Sequence, residues 1–172
     1  MRPGMQARTL DVHQARGKRM MTATSNSRAI RGQPSHAMVG AMLEAAGLPA
    51  ADVSEEHLRN FFYAPYEGSA LGLVGLELYG HEALLRSLVV TQRERGKGLG
   101  LALVHHAESY AASRGVRSMY LLTLTAEPFF KRLGYARIDR SQAPSSIKRT
   151  SEFASLCPES SAFMVKTLYP SG

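Results

Sequence analysis

The stretch Gln92-Arg93-Glu94-Arg95-Gly96-Lys97-Gly98-Leu99-Gly100 constrains this chain most, because an apolar run (83–90) leads into it and an amphipathic segment (99–112) leads out. Strand, glycine turn and helix are predicted in that order. The first backbone N–H groups of such a helix have no intrahelical partner, and the helix dipole adds partial positive charge, so phosphate binds there without a large side chain. Glycines let the backbone curl and approach the anion closely. Arg95 and Lys97 add mobile charge at the rim of that nest, which suits a diphosphate better than a single carboxylate. The expectation is a pyrophosphate-bearing cofactor.

Spacing separates the phosphate motifs. A P-loop needs Gly-Lys followed by Ser or Thr, and the Gly-Lys pair here is followed by Gly98. The dinucleotide fingerprint needs a third glycine where Leu101 stands and a strand early in the chain, whereas this turn lies past the midpoint. What remains, Arg95-x-x-Gly98-x-Gly100, resembles the Gln/Arg-x-x-Gly-x-Gly/Ala signature of the GNAT acetyltransferases, which implies that Arg95, Gly96, Lys97, Gly98, Leu99 and Gly100 hold the pyrophosphate of acetyl-CoA. A purely structural turn is the competing reading of the motif taken alone.

A second element follows one strand and one helix later. Residues 118–124 form a nearly all-apolar run, as in a strand buried on both faces, and 126–133 read as a short helix with Pro128 in its first turn and Gly134 at its end. The string Ala126-Glu127-Pro128-Phe129-Phe130-Lys131-Arg132-Leu133-Gly134-Tyr135 is similar to the Ala-x-x-Phe-Tyr-x-x-x-Gly-Phe element of GNAT enzymes. Phe129, Leu133 and Tyr135 are expected in the core. By resemblance, Phe130 and Lys131 join Thr125 in the cofactor site. Many family members carry Tyr where Phe130 stands, and the phenol is thought to protonate the departing thiolate, a role that Phe cannot fill. Water, Thr123 or Thr125 are the substitutes in reach, and no acid is named.

The resemblance implies a single GNAT-type α/β (α+β) domain with a central mixed, splayed sheet flanked by helices over residues 28–169. The predicted order is β-α-α-β-β-β-α-β-α-β. It contains a first strand ending at Ala29-Ile30-Arg31, a helix capped by Ser35 and ended by Gly47 and Pro49, a second helix from Ser54 through 56–62, strands over 70–79 and 83–90, and a last strand over 162–168. With 172 residues, 44% hydrophobic content and no apolar run near the ~20 residues of a membrane helix, one core and no membrane partner are expected. Of the net charge of +7, residues 1–43 contribute +6, from seven basic groups against Asp11 alone. Charge concentrated in a weakly periodic stretch points to a disordered extension over residues 1–27 and away from a nucleic-acid surface. The one cysteine, Cys157, excludes an internal disulfide, fits a reducing cytoplasm, and with no neighbouring ligand offers no metal site.

The strand before the glycine turn is expected to carry the chemistry. By resemblance, the backbone N–H groups of Leu88, Val89 and Val90 bind the thioester and pantetheine, with Leu88 placed to stabilise the oxyanion. Glu77 and Glu82 flank the site, and Glu77 is the candidate base. Strand alternation from Val90 puts Leu88, Arg86 and Leu84 on one face, so Arg86 points towards an acceptor, with Glu77 and Thr123 beside it. The competing reading of Arg86 and Glu77 is a structural cross-strand pair. His105 and His106 are adjacent on a helix and diverge, so they form no i, i+4 metal pair.

The segment 143–158, with its Ala-Pro, Ile, Thr, Glu-Phe and Leu-Cys-Pro order, resembles the arsenic-resistance N-acetyltransferase subgroup of the family. Ala46-Gly47-Leu48-Pro49, Gly75-Leu76-Glu77, Leu85-Arg86-Ser87-Leu88 and Phe129-Phe130 match it too, so the missing tyrosine reads as a subgroup trait. The resemblance implies acetyl transfer, without a metal, to the amine of a small amino-acid-like acceptor, an arsenical glutamate analogue among them. A general glutamate-type acetyltransferase and a non-catalytic acyl-CoA-binding module are the alternatives. Homodimers are common among such relatives, although no diagnostic strip is visible. Cys157 is expected to pack, since free cysteine behaves as a small apolar residue and soft-metalloid sites need more than one thiolate. Short helical turns around Ile147 and Phe153 are expected to close one end of the acceptor cleft.

Overall fold

The computed structural model describes residues 29–169, and the expected extension over 1–27 lies outside them. Seven strands form one sheet: β1 (Arg31–Gly32), β2 (Phe61–Tyr66), β3 (Ser69–Tyr79), β4 (Glu82–Val90), β5 (Ser118–Thr123), β6 (Ala136–Arg137) and β7 (Ala162–Thr167). Their spatial order is β1-β2-β3-β4-β5-β7-β6, antiparallel throughout except for the parallel β4–β5 pair. The helices are α1 (His36–Ala45), α2 (Glu55–Leu58), α3 (Leu99–Ser113), α4 (Glu127–Arg132) and α5 (Ser145–Lys148). This is the mixed, helix-flanked sheet that the sequence predicts.

Local chemistry accounts for the helix starts. The Ser35 hydroxyl accepts from the Met38 N–H at the head of α1, and Ser54 and His57 cap each other's backbone at α2. The helix expected over 56–62 is shorter than predicted: α2 ends at Leu58, and Phe61 and Phe62 open β2 instead. Aromatic residues favour a pleated, half-buried surface, and pairing with β3 (Phe61 opposite Gly75, Phe62 opposite Val74) prevails over a helical pattern of one turn. The two-residue β6 was also not foreseen, being too short to show a period.

The sheet splays in its middle. β4 and β5 are in register only at Glu82–Ser118, Ala83–Met119 and Leu84–Tyr120. Beyond Leu84 the two strands separate. A bulge in β4 accompanies the parting: Arg86 lies opposite Gly75 and Val89 opposite Leu73, and Ser87 between them has a left-handed φ of +57°. The extra residue reverses the side-chain alternation. Before it, Ala83 and Leu85 belong to the large core beneath α3 and Leu84 packs with Ala143, Ile147 and Phe163. After it, Leu88 and Val90 pack against the α3 core, and Val89 joins α1 residues Val39 and Leu43. The alternation predicted from Val90 back to Leu84 is therefore corrected: Leu84 and Leu88 do not share a face.

Candidate functional site

Two cavities meet where the strands part. One, of about 620 Å³, is walled by the end of β4 (Leu88, Val89, Val90), the glycine turn, Phe129 and Arg132. The other, of about 470 Å³, lies between the separated halves of β4 and β5 and is closed by residues 152–158. Leu48, Leu88, Thr125 and Ala126 line both, so the two form one path through the gap.

The first cavity has the geometry of an anion seat. Gly96 and Gly98 take φ of +73° and +84°, values that side-chain-bearing residues avoid, and Gly98 caps α3 without a side-chain hydrogen bond. The first intrahelical N–H bond there runs from Ala102 to the Gly98 carbonyl, so the N–H groups of Leu99, Gly100 and Leu101 precede the ladder, and the first turn holds no acid. Arg95 donates from Nε to the Val90 carbonyl at 3.2 Å. Lys97 is exposed, 3.7 Å from buried Glu94, and stands outside the wall.

At the end of β4 the Thr91 N–H donates to the Leu71 carbonyl. Successive N–H groups point to opposite edges of a strand, so Val89 faces β3 while Leu88 and Val90 turn towards the gap that β5 leaves open. Of the three predicted donors, two face the path. Phe130 is buried edge-on against Phe129 and Tyr135 and lines the second cavity, and Phe129, expected only to pack, lines the first. Lys131 pairs with Glu127 at 2.9 Å and reaches neither cavity, because it falls on the outer face of α4; Arg132 lines the first instead. Thr123 lines the second cavity, its hydroxyl accepting from the Ala126 N–H at 3.0 Å.

Among the described residues, Arg86 is a buried charge held by several partners. It is 2% exposed, and its guanidinium donates from Nη1 to Asp52 Oδ2 and Glu77 Oε1, both at 2.6 Å, and from Nη2 to Asp52 Oδ1 at 2.8 Å. Nε donates to Ser87 Oγ at 3.3 Å and lies 3.4 Å from Glu152 Oε1. Asp52 and Glu152 were not singled out in the sequence. Burial opposes the guanidinium's charge, but hydrogen bonds and charge from Asp52, Glu152 and Glu77 outweigh it and raise its pKa. Asp52 is held below the ordinary carboxylate range: burial raises it, and the bonds and charge of Arg86 prevail.

The predicted base, Glu77, is buried in this cluster, bonded to Arg86 and accepting from the Tyr79 hydroxyl, and is absent from either cavity wall. Glu82, at the far end of β4, accepts from the Ser146 hydroxyl and is absent from both as well. The carboxylate that lines the second cavity is Glu152, on the short helical turn Glu152–Leu156. Burial, aided by Glu77 and Asp52 and opposed by Arg86, pushes its pKa up to about 7. Cys157 lines the same cavity, and burial next to Glu152 pushes its thiol up to about 11, so it stays protonated near neutrality. Among the described residues no group of three or more His, Cys, Asp or Glu could hold a metal ion, and no helix is long and apolar enough to cross a membrane.

The family described as the Acetyltransferase (GNAT) family matches residues 34–135. An uncharacterized N-acetyltransferase of Chlorobaculum tepidum is 39% identical over 118 residues, which cover 66% of this chain and 74% of that protein. Among solved structures, the N-acetylglutamate synthase of Neisseria gonorrhoeae, complexed with coenzyme A and N-acetyl-glutamate, aligns with a TM-score of 0.68 at 18% identity. The alignment covers 82% of this chain but only 35% of the synthase chain. Rv2747 from Mycobacterium tuberculosis, solved with CoA, gives a TM-score of 0.67 at 18% identity over 82% of this chain and 99% of that one. At such identities the structural matches establish the shared fold.

Proposed function

The chain belongs to the GNAT family of acetyl-CoA-dependent N-acetyltransferases, and from that premise we propose that it transfers acetyl to the primary amine of a small amino-acid-like acceptor, by direct attack within a ternary complex. The observation that carries this reading is the path between the two cavities. Acetyl-CoA laid with its pyrophosphate on the turn of Arg95, Gly96, Lys97, Gly98, Leu99 and Gly100 would bring its thioester to Leu88, where the second cavity begins. The Leu88 N–H then supports the oxyanion, a contribution worth about a hundredfold or more where one such donor is removed from other enzymes.

On the acceptor side the cavity wall carries one guanidinium and one carboxylate among its described residues, Arg86 and Glu152. The amine lies towards Glu152 with Thr123 beside it, while the Arg86 charge is already taken up by Asp52, Glu77 and Glu152. The excess of carboxylate around Arg86 favours the ammonium end. Within this class, the likeness of residues 143–158 to the arsenic-resistance subgroup supports an arsenical glutamate analogue as acceptor, and with it a role in arsenic resistance in the cytoplasm. The raised thiol pKa of Cys157 speaks against an acyl-cysteine intermediate and for direct transfer.

The test is CoA release from acetyl-CoA with glutamate, its arsenic- and phosphorus-containing analogues, and simple primary amines. Turnover with the arsenical alone supports the resistance reading, and turnover with glutamate supports a general amino-acid acetyltransferase. Tight acetyl-CoA binding without release on any amine overturns catalysis in favour of a binding module.

A further inference from the structure

Two buried polar groups of the second cavity are left unexplained by the cofactor. Ser161 is 4% exposed, lines that cavity, and its hydroxyl has no hydrogen-bond partner. A buried hydroxyl without a partner is costly, and such groups in folded proteins generally await a ligand or water. Glu152, 6% exposed, lines the same cavity and is the third carboxylate around a single guanidinium, with its Oε1 at 3.4 Å from Arg86 Nε, whereas Asp52 and Glu77 approach Nη1 at 2.6 Å. It is thus the least tightly held of the three. It also lies on the cavity side of the cluster, where Asp52 and Glu77 do not reach.

We propose that Glu152 is the general base of the acetyl transfer and that the Ser161 hydroxyl binds the acceptor beside it, the two forming the seat of the reacting amine. The inference rests on the acetyltransferase reading above. The acceptor enters as R–NH3+ and gives one proton to the Glu152 carboxylate. The freed nitrogen lone pair forms the C–N bond at the thioester carbonyl, and collapse of the tetrahedral species breaks the C–S bond. The departing CoA thiolate takes the second nitrogen proton, giving R–NH–CO–CH3 and CoA–SH, and Glu152 returns its proton to solvent. A base that titrates close to neutrality combines a useful charged fraction with driving force for proton uptake.

The charges acting on Glu152 are Arg86 on β4, Glu77 on β3 and Asp52 after α1, and Glu152 in turn acts on the Cys157 thiol. One step further out, Tyr79 and His57 contact Glu77, Ser87 accepts from Arg86, Arg140 acts on Cys157 and Arg149 on Tyr79. Arg86 alone is in direct ionic contact with Glu152, so removing the Glu152 charge leaves Arg86 paired with Asp52 and Glu77. Glu152→Gln is therefore expected to fold.

The experiment measures kcat and KM against pH for the wild-type chain and Glu152→Gln, with the best acceptor from a panel of glutamate, its analogues and simple primary amines, alongside the acetyl-CoA Kd and the Tm. Expected for Glu152→Gln are a fall in kcat of about a hundredfold or more, loss of the acidic limb of the kcat profile, and an unchanged acetyl-CoA Kd. A retained limb with kcat within a few fold of wild type overturns the assignment of the base and leaves the acetyltransferase reading intact. No CoA release by the wild-type chain with any amine overturns both. Should Glu152→Gln not fold, Glu152→Asp serves: a shortened base is expected to keep the limb and lose kcat at least tenfold, and unchanged kcat overturns the assignment. Ser161→Ala, which removes an unpartnered hydroxyl, is expected to raise acceptor KM several fold with Tm undiminished. Unchanged KM removes Ser161 from the seat.

Discussion

Arg86 balances three carboxylates, and its loss leaves Asp52, Glu77 and Glu152 facing one another in the protein interior. Breaking a buried ion pair from one side costs about 3–5 kcal/mol, so Arg86→Met is expected to lower the unfolding free energy read from urea titration by an amount of that order at pH 7, with the deficit shrinking as acid protonates the three partners. Glu152 has the opposite linkage from an ordinary buried carboxylate. Its folded pKa, raised to about 7 from the usual 4.5, means that between those pH values the folded chain keeps a proton that the unfolded chain releases. Its contribution is therefore complete below about pH 4.5 and is lost as pH rises through about 7. Thermal scans from pH 5 to 8 should show Tm falling more steeply in wild type than in Glu152→Gln. The glycine turn into α3 was legible in the sequence because backbone conformation and helix termini leave a local glycine signature. Glu152 and Asp52 were not, since they acquire meaning only when residues 66 and 34 positions from Arg86 meet it, nor was Ser161, which the fold brings to the same cavity.

Among the elements, the turn into α3 and the bulge in β4 do most to shape the path. Gly98 has open space around its Cα, so what forbids a side chain there is φ of +84° and not crowding. Gly98→Ala is expected to cost about 1–2 kcal/mol of stability and to weaken acetyl-CoA binding in calorimetry, because the first N–H groups of α3 lose their common aim. Gly75 presents the contrary case: a Cβ there would lie 2.3 Å from the Phe61 ring. Gly75→Ala should destabilise the β2–β3 pair by about 1–3 kcal/mol or more, read in denaturant unfolding, with acetyl-CoA affinity little changed. The length and type of α1, α3, β3 and β4 were legible from their periods. The short α2 and β6 were not, because one turn or two residues contain too little periodicity, and pairing across the sheet decides them. The bulge at Ser87 was invisible for a further reason: nothing in Arg86-Ser87-Leu88 signals a left-handed residue, and only the register against β3 demands one.

At the scale of the whole molecule, the sheet consists of two halves joined by three paired residues of β4 and β5 and by the helices laid across them. Acetyl-CoA seated as proposed would contact both halves, so saturating it should raise Tm by several degrees, corresponding to about 2.7 kcal/mol at a hundredfold excess over Kd, and Gly98→Ala should blunt the shift at equal concentration. The order of the longer elements, the glycine turn and the family it resembles followed from the sequence, since each leaves a local period or motif. The splay, the reversed face of β4, the neutralisation of Arg86 and the carboxylate in the wall of the second cavity were decided by tertiary structure alone. They depend on long-range register and on which charges burial forces into contact, and neither quantity is written in any local stretch of the chain.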